Sequence, residues 1–199
     1  MFFSLLSAAG LLSLFIVLNS YLHEGSLEKS RKAGEFHETE HLTDTAGMVT
    51  SRVAFHDFEA GDPADPALHL AAIGHTGKQS LKMSSAMPFS PGLWTRFRDL
   101  PAGGHGWIRA TGYVWFSCLP GDVKCSLVAT CNHQGANFKY MFIALEKENL
   151  VPNRWNKITI DYRIPEPPLG EDILQVYFWY RGNGEMLADD IGVELLRVK

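Results

Sequence analysis

Two stretches of the chain place large rings, amides and guanidinium groups at every second position. In residues 107–118 the odd positions are Trp107, Arg109, Thr111, Tyr113, Trp115 and Ser117, and the even ones Ile108, Ala110, Gly112, Val114, Phe116 and Cys118. In residues 172–181 the odd set is Ile173, Gln175, Tyr177, Trp179 and Arg181, against Leu174, Val176, Phe178 and Tyr180. Successive side chains of an extended strand point to opposite faces, so each stretch has an apolar face for a core and a second face of rings and hydrogen-bonding groups. Such a face recognises; it does not react. Sugar rings stack their C–H faces on Trp and Tyr while Arg, Gln and Asn bond the hydroxyls, and a protein partner uses the same Trp, Tyr and Arg as anchors. The candidate binding set is Arg109, Tyr113, Trp115, Gln175, Tyr177, Trp179 and Arg181, expected on one sheet surface pointing away from the core.

Reactive chemistry is poorly represented. There is no G-x-S-x-G elbow, P-loop or H-E-x-x-H in the chain, and the many carboxylates stand in no pattern for glycoside cleavage. His56, His69, His75, His105 and His133 are scattered without a shared partner. His37 and His41 have the i, i+4 spacing of a helical metal pair, but no third ligand has a defined position, which favours a solvated linker. Cys118, Cys125 and Cys131 match no standard zinc set. Cys118 and Cys125 bracket a turn, where a disulfide is geometrically open; buried free thiols are the alternative that packing favours. The chain reads as a non-enzyme.

The elements that must hold these faces are strands. Turn signals at Gly61-Asp62-Pro63, His75-Thr76-Gly77, Ser90-Pro91-Gly92, Ala102-Gly103-Gly104, Pro120-Gly121-Asp122, Gln134-Gly135-Ala136-Asn137 and Gly182-Asn183-Gly184 cut residues 51–199 into short alternating segments. That is the pattern of an all-β sandwich. Within it Ile158, Ile160 and Tyr162 read as core, with Lys157, Thr159, Asp161 and Arg163 outside. Phe138, Tyr140 and Phe142 form one more aromatic stripe, facing away from Met141, Ile143 and Leu145.

Ahead of the sandwich, residues 1–22 carry an apolar run free of charge until His23. Twenty-odd helical residues reach the roughly 30 Å of a hydrocarbon core, and no basic n-region precedes the run, so a single retained transmembrane helix is expected over a cleaved signal peptide. Tyr21 sits where an interfacial aromatic would anchor it. Residues 23–50 turn polar and read as a tether. Lys29, Arg31 and Lys32 follow the helix, which by the positive-inside rule places the domain in the cytoplasm; the free cysteines lean the same way, and the composition of the sandwich leans outside. The expectation carried forward is a membrane-anchored domain on the extracytoplasmic side.

Composition narrows the partners. Of 199 residues, 46% are hydrophobic and 20% charged, enough apolar material for one core and too little charge for a disordered chain. With 18 basic against 22 acidic residues the net charge is -4, so no basic surplus exists to neutralise phosphates and nucleic acid is not an expected partner.

Four motifs in order carry a resemblance: Phe55-His56-Asp57-Phe58-Glu59; Gly74-His75-Thr76-Gly77-Lys78-Gln79-Ser80-Leu81-Lys82; Trp155-Asn156-Lys157-Ile158-Thr159; and Met186-Leu187-Ala188-Asp189-Asp190-Ile191-Gly192-Val193. Together, over roughly residues 53–197, they resemble the carbohydrate-binding-module jelly rolls of the galactose-binding-like superfamily. His75-Thr76-Gly77 departs from the usual Ser-Gly. The resemblance implies a jelly-roll β-sandwich and a structural calcium ion where the first motif meets the closing strand, with Glu59 and one of Asp189 or Asp190 as side-chain ligands and Asp57 and carbonyls near Lys78 completing the oxygen shell. It also leaves two functions open. One is a membrane-tethered glycan-recognition module. The other is an accessory subunit of a membrane complex whose sandwich docks on a protein partner, since a helix, tether and sandwich resemble the tail of larger envelope proteins.

Overall fold

The computed structural model describes residues 40–59, 69–101, 106–118, 122–165 and 170–198. The expected membrane helix and most of the expected tether lie outside these residues. Among the described residues no helix is long and apolar enough to cross a membrane.

Among the described residues ten strands form two antiparallel sheets. In chain order they are β1 (Met48–His56), β2 (Leu70–Ala71), β3 (Ser80–Met83), β4 (Leu93–Arg96), β5 (Trp107–Trp115), β6 (Cys125–His133), β7 (Ala136–Ala144), β8 (Asn156–Arg163), β9 (Ile173–Tyr180) and β10 (Met186–Val198). One sheet has six strands in the order β2-β3-β10-β5-β8, with β1 also paired to β10; the other has four in the order β4-β9-β6-β7. From β3 to β10 the chain crosses repeatedly between the sheets, as an all-β sandwich wound in jelly-roll fashion does.

Alternation builds the core. Burial switches at every residue along β5 and β9. Ile108, Ala110, Val114 and Phe116 lie inside from one sheet, and Leu174, Val176, Phe178 and Tyr180 from the other. The two rows interlock at Gly112, where an added Cβ would stand 2.5 Å from Cε2 of Phe178. That contact has a consequence for the candidate site. Strands β5 and β9 belong to different sheets and face each other across the core, so their outward rows point in opposite directions. The single surface expected for the seven candidate residues does not exist. The parity of each strand is as expected; their placement in one sheet is corrected.

The sandwich also begins earlier than residue 51. Strand β1 starts at Met48, and the preceding residues are bonded to the domain. Glu40 pairs with Lys139 Nζ at 3.0 and 2.9 Å and accepts the Arg163 N–H at 2.9 Å. Leu42 donates its N–H to Asp161 Oδ2 at 3.0 Å and receives Arg109 Nη2 on its carbonyl at 3.0 Å. Lys139 is on β7 and Arg163 on β8, so residues 40–42 strap the edges of the two sheets together. This part of the expected tether is domain.

Cys118, Cys125 and Cys131 are all free, the last two buried. Burial pushes the Cys131 thiol up to about 12 and that of Cys125 higher still, so both stay protonated and pack as small apolar groups.

Candidate functional site: an aromatic face on the four-stranded sheet

The seven candidate residues divide between two environments. Gln175, Tyr177, Trp179 and Arg181 belong to the four-stranded sheet; Arg109, Tyr113 and Trp115 lie on the far side of the molecule.

On the six-stranded sheet Arg109 and Tyr113 are already occupied. Arg109 is directly opposite Asp161 in the ladder and holds it through Nε at 2.7 Å and Nη2 at 3.0 Å. The hydrogen bond to Asp161 raises the guanidinium pKa, against the burial that lowers it. Tyr113 is covered by His75, ring centroids 3.6 Å apart and 13° from parallel, and Trp155 meets the same imidazole edge-on at 5.8 Å. Trp115 stands outward beside Leu187.

The four-stranded sheet is arranged differently. Its ladder places Trp94 beside Gln175, Gln175 beside Thr130, and Thr130 beside Tyr140. One row further along, Tyr177, Val128 and Phe142 stand side by side. The central strand β6 turns Ser126, Val128 and Thr130 outward, yet all three are at most 1% exposed. Side chains from β9 and β7 therefore lean over the β6 floor from both sides. Segment 88–92 lengthens the wall: Ser90 N–H donates to Phe178 O at 3.1 Å, and Tyr180 N–H to Pro88 O at 2.8 Å. Phe89 bridges to Trp179 across this pairing. Between this wall and β9 lies a cleft of about 410 Å³, lined by Phe89, Gly92, Trp94, Gln175 and Tyr177 among others.

Several large rings remain open to a ligand here. Trp94 is 61% and Phe89 52% exposed, and Phe142 also reaches solvent. Phe89 sits edge-on to Tyr177 at 5.7 Å. Tyr140 tilts against Phe142 at 5.9 Å. The phenols of Tyr140 and Tyr177 come near enough that Tyr177 raises the pKa of Tyr140, although burial is the main cause of the upward shift in both. Among the described residues neither phenol oxygen has a hydrogen-bond partner. Both remain protonated donors over the floor of the face.

Trp179 has less freedom than its position in the sequence implies. Phe89 stacks near one side of it at 6.3 Å and 18°, and the Arg181 guanidinium lies 4.4 Å from its centroid. Arg181 is itself tied to Ser126 Oγ at 2.9 Å and stands 3.8 Å from Glu146. Trp179 thus braces the end of the face. Open ring surfaces belong to Trp94, Phe89 and Phe142, which, like the half-buried Tyr140, the candidate set did not contain. Tyr140 and Phe142 were visible as an alternating stripe. Trp94 was not, because β4 has four residues, too few for alternation to show.

Of the four carboxylates expected to hold calcium, Glu59, Asp189 and Asp190 each bond the 75–79 loop, and their oxygens are largely taken. Asp189 Oδ1 accepts the Asp190 N–H at 2.8 Å and Oδ2 the His75 N–H at 2.6 Å. Asp190 Oδ1 accepts Thr76 Oγ1–H at 2.8 Å, and its Oδ2 receives His75 Nδ1–H at 2.6 Å. Glu59 Oε1 accepts the N–H groups of Lys78 and Gln79 at 2.5 and 2.7 Å, and Asp57 Oδ1 that of Glu59 at 3.1 Å. Calcium needs six to eight oxygens. This donor set does not fit it, and among the described residues no group of three or more His, Cys, Asp or Glu is placed to hold a metal ion.

No protein-family model matches the chain, and no curated protein does. Solved structures to which it is similar include the CBM22-1 xylan-binding domain of Paenibacillus barcinonensis Xyn10C, at 20% identity and TM-score 0.48, covering 79% of this chain and 99% of that one. A second is the C-terminal family 22 carbohydrate-binding module of Clostridium thermocellum Xyn10B, at 12% identity and TM-score 0.42, covering 83% and 96%. A third is a family 16 carbohydrate-binding module, at 14% identity and TM-score 0.41, covering 65% and 88%.

Proposed function

We propose that this chain is a non-catalytic glycan-binding module whose ligand lies along the outward face of the four-stranded sheet, and that its apolar N-terminal segment holds it at a membrane with the domain on the extracytoplasmic side. The anchor rests on the length of the uncharged run alone. The binding reading rests on one observation: two half-buried phenol hydroxyls, those of Tyr140 and Tyr177, stand without protein partners between walls of open rings. Among the described residues no protein group competes for either hydroxyl, so each is available to donate to and accept from a ligand. A ligand that offers hydroxyls to the phenols and flat C–H faces to Trp94 and Phe142 satisfies both features at once, and sugars have that combination.

The test uses the full chain in a detergent without a sugar head group. It is screened against immobilised neutral and acidic polysaccharides, and the best ligand is measured by calorimetry. Replacing both tyrosines by phenylalanine removes two neutral hydrogen bonds and should weaken binding by roughly tenfold, at about 0.5–1.5 kcal/mol per bond. The melting temperature should stay within about 2 °C of the parent, because neither hydroxyl has a partner to lose. Failure to bind any polysaccharide, or unchanged affinity in the double variant, overturns the reading.

A further inference from the structure

The carboxylate cluster that does not fit calcium still has to hold its loop, and it does so with a histidine. Two consecutive residues of β10 turn toward the same segment, which a regular strand forbids, since neighbouring side chains alternate. The ladder shifts register between Asp189 and Gly192, and Asp190 sits at φ +47°. Here β10 also exchanges one neighbour for another: Met186 to Ala188 pair with β3, and Ile191 onward with β1. The bulge brings both carboxylates to bear on residues 75–76, with Asp189 fully buried.

The facing loop, residues 75–79, presents donors. Its N–H groups at His75, Lys78 and Gln79 all end on carboxylate oxygens. Gly77 allows this wrap, because it adopts φ +61° and a Cβ there would stand 2.4 Å from Glu59 Oε1. All four oxygens of Asp189 and Asp190 are occupied. A cation in their place would require the loop to turn carbonyls toward them. The imidazole of His75 is held from three sides: Asp190 in its plane, Tyr113 on its face and Trp155 at its edge.

We propose that His75 does the work of a cation in this cluster, clasping the 75–79 loop to the β10 bulge, so that the domain folds and keeps its stability without calcium. His75 supplies a ring donor to Asp190 and an apolar face to Tyr113.

The full chain is melted in excess EDTA and again in millimolar calcium. The two melting temperatures should agree within about 1 °C, and calorimetric titration of calcium should give no binding heat, since a ligand of the native state raises the melting point by mass action. His75→Ala should lower the melting temperature by about 5 °C in both buffers, and His75→Gln, which keeps a side-chain donor, by less. In proton NMR the His75 ring signals should lie upfield in the ring current of Tyr113 and move downfield in Tyr113→Leu. A rise of several degrees with calcium, or a fall with EDTA, overturns the proposal; so does His75→Ala melting with the parent. If His75→Ala does not fold, the metal titration and the ring-current shift on the parent chain decide.

Discussion

Asp161→Asn separates a structural role for the six-stranded face from a binding role. Asp161 is 8% exposed and receives three N–H groups: Arg109 Nε at 2.7 Å, Arg109 Nη2 at 3.0 Å and Leu42 N at 3.0 Å. Asparagine keeps one acceptor oxygen and turns an NH2 toward donors. It therefore loses the charge, loses at least one bond and leaves Arg109 without its counter-charge. Removing one partner of a fully buried pair costs about 3–5 kcal/mol. The Arg109 side chain is 30% exposed, so water recovers part of its solvation, and we expect a loss of about 2 kcal/mol, within the range for charged hydrogen bonds. For a domain of this size that is roughly 4–8 °C in melting temperature. Urea unfolding should show the midpoint falling with the slope unchanged, because the same surface is exposed on unfolding. Amide exchange at Leu42 should quicken, since its N–H loses its acceptor. Arg109→Leu combined with Asp161→Leu should recover part of the loss by removing both charges together. A loss below about 0.5 kcal/mol refutes the partner accounting. If glycan affinity falls and stability holds, Arg109 belongs to a binding face after all.

Trp94→Ala should reduce glycan affinity about tenfold or more while the melting temperature changes little, whereas Trp179→Ala, which removes the ring between Phe89 and Arg181, should lower the melting temperature; the opposite pattern in paired calorimetry and thermal melts would reverse the two roles. Burial raises the Asp189 carboxyl to about 6. Its folded pKa exceeds its unfolded one, so its contribution favours folding at low pH and is lost as pH rises through about 6. The melting temperature of the parent should rise relative to Asp189→Asn between pH 7 and pH 4, and parallel pH profiles would count against that shift. A chain starting at residue 51 should unfold at lower urea than one starting at residue 38, because it lacks the Glu40 and Leu42 strap and the first residues of β1; equal midpoints would show the strap to be idle.

Period-two alternation is a property of one strand, and it was legible wherever a strand was long enough. The inward rows of β5, β8 and β9 could be read residue by residue, and so could the outward position of Tyr177 and Trp179. Which sheet a strand joins is decided elsewhere. β10 takes β5 on one side and both β3 and β1 on the other, through pairings between 72 and 150 residues apart that leave no local pattern. That is why two outward rows of similar composition were joined into one surface. The strap was missed for a related reason: Glu40 and Leu42 look solvated in a polar stretch, and only the fold brings Lys139, Arg163 and Asp161 to them.

Composition could not rank the two outward faces, because each carries rings and arginine. Partner accounting can. On the six-stranded sheet Arg109 has a carboxylate and a carbonyl, and Tyr113 has an imidazole on its face. Those groups have been used to close the strap and the His75 clasp, and a ligand there would have to displace them. On the four-stranded sheet the same residue types divide. Arg181 and Trp179 are used against each other, while Tyr140 and Tyr177 flank β6 opposite Thr130 and Val128, and among the described residues their hydroxyls have no hydrogen-bond partner. On the proposed function, the unpaired phenols exchange water for the hydroxyls of a ligand, and the open Trp94 offers its flat face a surface to stack on. The face left for a ligand, on that proposed function, is the one whose interactions are incomplete.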